Sequence, residues 1–154
     1  MTSVSAATCP FCAPAQTVYA ESARWLLLRH LDPVPIAGWM MLATREHRAG
    51  LDALTSKEAG ELGEVLSEIS RAVRLETGCE RTYLLSFNEA VPHLHLHVIP
   101  RHAGDTRTKS WSLADLYRST ARGEMAAVDQ HVAEARALRI AARASAALAM
   151  AGFR

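Results

Sequence analysis

A run of about 18 apolar residues, the least that spans a membrane as a helix, is missing from this sequence. So is a basic start followed by a long apolar stretch, and no signal peptide is expected. Excess charge is missing too. Lys and Arg number 17 and Asp and Glu 16, a net of +1 at pH 7. That balance gives no electrostatic case for nucleic acid or an anionic membrane as partner. No glycine-rich phosphate loop occurs, which speaks against P-loop chemistry. No internal repeat or linker divides the chain. At 154 residues, 49% of them apolar, one domain over 1–154 with a proper core is expected, in a soluble cytoplasmic protein.

Cysteine is scarce: Cys9, Cys12 and Cys79. In a reducing compartment a Cys-x-x-Cys pair favours metal or redox work over a structural disulfide. Cys9-Pro10-Phe11-Cys12 has the spacing of a thioredoxin-like site, but that chemistry follows a strand, and eight residues precede Cys9. Cys79 has no partner in sequence and reads as a small buried apolar residue.

Histidine, by contrast, is concentrated. Of seven in the chain, three fall in Pro92-His93-Leu94-His95-Leu96-His97-Val98-Ile99-Pro100-Arg101. In an extended strand, successive side chains point to opposite faces. His93, His95 and His97 then line one face at intervals of roughly 6.5–7 Å. Leu94, Leu96 and Val98 point into a core. Imidazole is largely free base at neutral pH, so such a row can attack an electrophile, move protons or bind metal. A catalytic metal on all three histidines and plain packing remain alternatives.

The remaining pattern is strands first, one capped helix, then two more strands. Val18–Glu21 and Trp25–Leu31 read as a hairpin. Asp32-Pro33-Val34-Pro35 forces a turn. Trp39–Thr44 is a third, central strand. Thr55-Ser56-Lys57-Glu58 is a capping box, followed by Leu62, Val65, Leu66, Ile69 and Val73 at helical spacing, with Gly78 as the stop. Arg81–Phe87 and Leu94–Pro100 are strands, and 104–110 is a polar loop. Ser112–Thr120 and Ala126–Ala149 are helices, the last with Val128, Val132, Ala135 and Leu138 as its apolar face. Arg136, Arg139 and Arg143 form a stripe on it, read as a solvated face or as a contact for phosphate or a partner. Residues 1–8 are expected to be mobile. The fold class is α+β with an antiparallel sheet.

His93-Leu94-His95-Leu96-His97-Val98-Ile99 resembles, at every position, the signature of the histidine triad (HIT) family. Gly38-Trp39-Met40-Met41-Leu42-Ala43-Thr44-Arg45-Glu46-His47 is similar to the family's glycine, apolar strand, basic residue and histidine. The resemblance covers roughly residues 9–105, leaving 106–154 as a C-terminal helical extension. It implies a HIT-like fold: an antiparallel five-stranded sheet with a main helix and C-terminal helices, paired with a second copy as a homodimer. It implies a nucleotide as the small-molecule substrate, a dinucleoside polyphosphate or nucleoside phosphoramidate attacked at the α-phosphorus.

The same resemblance assigns residues. His95 is the nucleophile, its other ring nitrogen protonated toward a carbonyl near His93. His97 contacts phosphate oxygens or assists the leaving group, with packing as the alternative. Asp32 stands near the family's acidic residue that bonds ribose hydroxyls; loop capping is the other reading. Asn88 is a candidate phosphate contact. Cys9, Cys12, His47 and His93 match a closed, structural zinc site of bacterial members. Two departures stand out. Asn88-Glu89-Ala90-Val91-Pro92 replaces the usual Gly-Gln-Ser or Gly-Gln-Thr segment, and Trp39 stands where many members carry histidine. The competing function is a nucleotide-binding regulatory module with little turnover.

Overall fold

The computed structural model describes residues 9–12 and 17–154. The expectation for residues 1–8 lies outside them. Five strands form: β1 (Val18–Glu21), β2 (Trp25–Arg29), β3 (Met40–Thr44), β4 (Arg81–Leu85) and β5 (His95–Arg101). Three α-helices follow the expected pattern: α1 (Ser56–Thr77), α2 (Ser112–Ala121) and α3 (Gln130–Ala147). The sheet order is β1-β2-β3-β5-β4, every pair antiparallel. The α+β five-stranded expectation holds.

Local signals explain most boundaries. The β1–β2 turn is held by Ser22 Oγ, which accepts from the backbone of Arg24 and Trp25 at 3.2 and 3.1 Å. At α1 the capping box is complete: Thr55 accepts from Glu58 N, and Glu58 accepts from Thr55 N. Gly78 ends that helix at φ +66°, the left-handed region. α3 begins four residues later than Ala126, because Asp129 is its N-cap and accepts from His131 and Val132 N. The polar loop after β5 contains a short 3-10 turn, Thr106–Thr108.

One face of the sheet meets α1 and α3. Trp25, Leu27, Met40, Leu42 and Val98 pack there with Val65, Ile69, Val73, Ile140 and Ala141. Cys79 is buried in this core as a small apolar residue. The expected apolar face of α3 is corrected. Val132 and Leu138 are 49% and 54% exposed, and Ala135 is exposed as well. Val128 lies before the helix and is half-buried. The buried side is Ala133, Ala137, Ile140, Ala141 and Ala144. Small side chains let α3 lie close to α1, so steric room, rather than hydrophobicity, chose the face.

The arginine stripe is half-exposed and engages Glu76. Arg136 Nη1 donates to Glu76 O, Arg139 Nε to Glu76 Oε2 at 3.2 Å, and Arg143 Nη2 to Oε1 at 2.7 Å. Arg143, with Arg139, holds the Glu76 carboxyl below the usual range. The chain's last residue closes on the sheet: Glu21 and Arg154 exchange two backbone hydrogen bonds of 3.0 Å. Among the described residues, no helix is long and apolar enough to cross a membrane.

Candidate functional site

The other face of the sheet carries the histidines. In register, Ala43 pairs with His95 and Met41 with His97. By alternation all four share the face opposite α1 and α3. Leu94, Leu96 and Val98 are buried, as the alternation predicts. Against Leu26, Leu28, Met41 and Ala43 sit Cys9 and Phe11.

His93 lies two residues before His95, the β5 partner of Ala43, and is fully buried. Cys12 N donates to Cys9 O at 3.1 Å, a turn that turns both thiols toward it. Cys9 Sγ is 3.3 Å from His93 Nδ1. Cys12 Sγ is 3.3 Å from His47 Nδ1 and 3.5 Å from His93 Nδ1. These four ligand atoms lie within 4.8 Å of one another and could hold a metal ion. His93 Nε2 is 2.7 Å from Thr44 O. A carbonyl oxygen only accepts, so the proton sits on Nε2 and the Nδ1 lone pair faces the sulfurs. Burial, with Cys9 beside it, pushes the Cys12 thiol up to about 11. A coordinated dication reverses that preference, because it deprotonates a thiol ligand. The donor set therefore fits a metal. The His47 segment is braced from outside: Arg48 O accepts from Leu94 N at 2.5 Å, and Arg48 Nε pairs with the buried Glu58 at 3.2 Å.

His95 is held differently. Its Nδ1 is 2.8 Å from His93 O, so that nitrogen donates and Nε2 keeps a lone pair. Phe11 stacks on its ring, with centroids 4.8 Å apart and planes at 29°. Its backbone is fixed at both polar atoms. Asn88 Oδ1 accepts from His95 N at 3.2 Å, and Ser86 Oγ donates to His95 O at 2.8 Å. Asn88 reaches this position at φ +54°, a left-handed conformation that asparagine tolerates.

His97 completes the row, its ring centroid 5.1 Å from that of His95. Trp39 Nε1 donates to His97 Nδ1 at 3.0 Å. Burial, with the nearby His95 and His30, lowers the His97 pKa to about 3. Burial lowers His30 as well. Its Nδ1 is 2.7 Å from Leu31 O, and its ring packs 4.5 Å from Trp39. Asp32 is half-exposed and bound by Arg29 at both oxygens, 3.2 and 2.8 Å.

The three histidines thus do not converge on one point. The metal-competent cluster takes His93 alone, and His95 and His97 have separate partners. Three contributors were not singled out from the sequence: His30, Phe11 and Ser86. Phe11 lies inside the Cys-x-x-Cys segment and His30 beside the proline turn, but neither spacing says which ring it meets.

The HIT domain family model matches residues 12–104 of the chain. No curated protein sequence matches it. A hypothetical histidine triad nucleotide-binding protein from Sulfolobus tokodaii superposes with a TM-score of 0.67 at 16% identity, over 91% of this chain and 94% of that one. A Zn-bound histidine triad family protein from Mycobacterium smegmatis gives 0.64 at 20% identity, over 96% and 99%. A histidine triad protein from Bradyrhizobium japonicum gives 0.61 at 20% identity, over 84% and 91%. At these identities the likeness is one of fold.

Proposed function

This chain belongs to the histidine triad (HIT) family, whose members are in general nucleotide-binding hydrolases and transferases, and from that premise we propose a nucleotidyl hydrolase or transferase that works through a covalent intermediate on His95. One observation carries the reading. His95 Nδ1 is committed to His93 O at 2.8 Å, which leaves the Nε2 lone pair free to attack. Phosphate esters and anhydrides resist anionic nucleophiles, and a neutral imidazole brings no extra negative charge. Nε2 attacks the α-phosphorus, and the bond to the leaving group breaks with its electron pair. The leaving group takes up a proton from solvent. Water then attacks the phosphoramidate and gives up a proton to solvent, the P–N bond returns its pair to Nε2, and a nucleoside monophosphate leaves. Two moderate steps replace one hard one.

His97 contacts the phosphate oxygens or the leaving atom. Asn88 uses Oδ1 within the protein, and its amide nitrogen remains as the donor toward phosphate. Asp32 is assigned to the ribose hydroxyls, with Arg29 as the group that holds its carboxylate in place. The substrate is a dinucleoside polyphosphate or a nucleoside phosphoramidate. The test is a panel of both classes with purified protein, plus trapping of a labelled nucleotidyl group and mapping of the labelled peptide. Label on His95 is expected. Turnover without any covalent label, or label elsewhere, sinks this mechanism.

Cys9, Cys12, His47 and His93 are assigned to zinc, whose tetrahedral Cys₂His₂ sites are structural. Four protein ligands would leave no open position, and through Cys9 and Cys12 they would tie that turn, and Phe11 with it, to the sheet. A homodimer is the proposed assembly. β4 is an edge strand, and Leu84, Leu85 and Phe87 are exposed on and beside it, which supports pairing with a second copy. Light scattering that shows only monomer across the micromolar range counts against it. Ile140 and Ala141 share a core with Leu27 and Met40, which supports one domain over 1–154. Free thiols at Cys9, Cys12 and Cys79 suit a reducing, cytoplasmic setting.

A further inference from the structure

Trp39 follows a turn that leaves little freedom. Gly38 has φ +91°, and a Cβ there would meet Thr77 Cγ2 at 2.5 Å. The indole that follows is 6% exposed and packs with Ile36, Ile99, Leu113 and Leu116. A buried tryptophan needs an acceptor for its N–H, and a backbone carbonyl would serve. Here the acceptor is a ring nitrogen of the site, His97 Nδ1 at 3.0 Å.

The consequence is one of proton accounting. Indole Nε1 is a donor only, so His97 Nδ1 must present a lone pair. Burial keeps the ring neutral, its pKa lowered to about 3. A neutral imidazole carries one proton, which is left to Nε2. No neighbouring histidine can substitute for the indole, because the Nδ1 protons of His30 and His95 are committed to Leu31 O and His93 O.

We propose that Trp39 is a positioning residue that fixes His97 as the Nε2–H tautomer, making it a hydrogen-bond donor toward the leaving atom or phosphate and excluding it as base or second nucleophile. The use of that donor rests on the nucleotidyl-transfer reading above; the tautomer rests on the indole contact alone. His95 and His97 are then opposite in polarity two residues apart. His95 is tied through a proton and offers a lone pair. His97 is tied through a lone pair and offers a proton. An N–H held in this way stabilises charge as it develops on the departing atom.

The experiment is nuclear magnetic resonance on the full chain, labelled with ¹⁵N in histidine and tryptophan, at neutral pH. A ¹⁵N–¹⁵N coupling across the hydrogen bond between Trp39 Nε1 and His97 Nδ1 is expected, with a one-bond N–H correlation at His97 Nε2. Absence of the coupling, a proton on His97 Nδ1, or an imidazolium overturns the assignment. In Trp39→Phe the His97 nitrogens should move toward a mixture of tautomers. kcat should fall about tenfold with KM little changed, the rate equivalent of one ordinary hydrogen bond. Unchanged His97 nitrogen shifts in that variant overturn it as well. Should the variant not fold, the wild-type coupling decides. Coupling without turnover of any nucleotide upholds the tautomer and removes the proposed function. Turnover without coupling removes the tautomer alone.

Discussion

The two faces of the sheet differ in what closes them. Toward α1 and α3, Leu27, Met40, Leu42 and Val98 meet aliphatic side chains and alanines, and the ion pairs of Glu76 stand at the rim. Toward the histidines, Leu26, Leu28, Met41 and Ala43 meet Cys9 and Phe11 and share the surface with His95 and His97. Apolar burial has no direction and rewards volume. Hydrogen bonds between ring nitrogens and carbonyls have direction and reward placement. A substitution on the helical face should therefore register as lost stability, and one on the histidine face as lost chemistry.

The largest expected effect tests that division at its sharpest point. His95→Ala should lower turnover by orders of magnitude, because covalent catalysis loses its attacking atom. Nucleotide affinity by calorimetry and the melting temperature should change little. Near-normal turnover on any substrate of the wild type would end the nucleophile assignment. Next is the place where the division should break. Cys9→Ala removes a ligand atom from the metal-competent cluster, and a structural metal contributes several kcal/mol to folding. Elemental analysis should fall from about one zinc per chain to a small fraction, in line with a closed four-ligand site. Thermal stability should fall with it. No metal in wild-type protein purified without chelators would refute the site.

On the helical face, Ala137 is buried where α3 meets α1. Ala137→Leu should cost about 1–3 kcal/mol by overpacking, read from urea denaturation, with kcat of the folded fraction intact. The smallest effect is at the rim. Glu76 has a carboxyl held below its ordinary 4.5, chiefly by Arg143 and then Arg139. A depressed folded pKa means that the contribution is present above the ordinary carboxylate range and lost as pH falls through the depressed value. The arginines are half-exposed, so the pair should contribute only about 0.5 kcal/mol. The stability difference between wild type and Glu76→Gln should shrink to nothing in acid. A difference that grows in acid would reverse the sign.

Elements set by local chemistry were legible before any coordinates. The capping box at Thr55 and Glu58, the stop at Gly78 and the in–out alternation of β5 need only neighbours in sequence. The grouping of Cys9, Cys12, His47 and His93 was expected too, through resemblance rather than through any local signal. What sequence did not reveal depends on residues far apart in the chain. α3 buries Ala133 and Ala137 and leaves Leu138 outside, because the approach of α1 sets the room available. The Trp39–His97 bond spans 58 positions. Such contacts exist only once β3 and β5 are in register. Asn88 shows the same limit: its oxygen holds the start of β5, a use that its place in the sequence does not disclose.

The sheet has two outer edges, and they are unequal. β1 is four residues long, its Glu21 end already occupied by Arg154 and its Tyr19 bound by Glu134 of α3 at 2.5 Å. Among the described residues β4 has no strand partner on its far side, and it carries the exposed Leu84 and Leu85. The proposed pairing of two copies through β4 would use the open edge of each at once. The outer strands of that proposed pair would be the two β1 strands, short and each held at its Glu21 end by Arg154, which would favour growth that stops at two copies over a fibre.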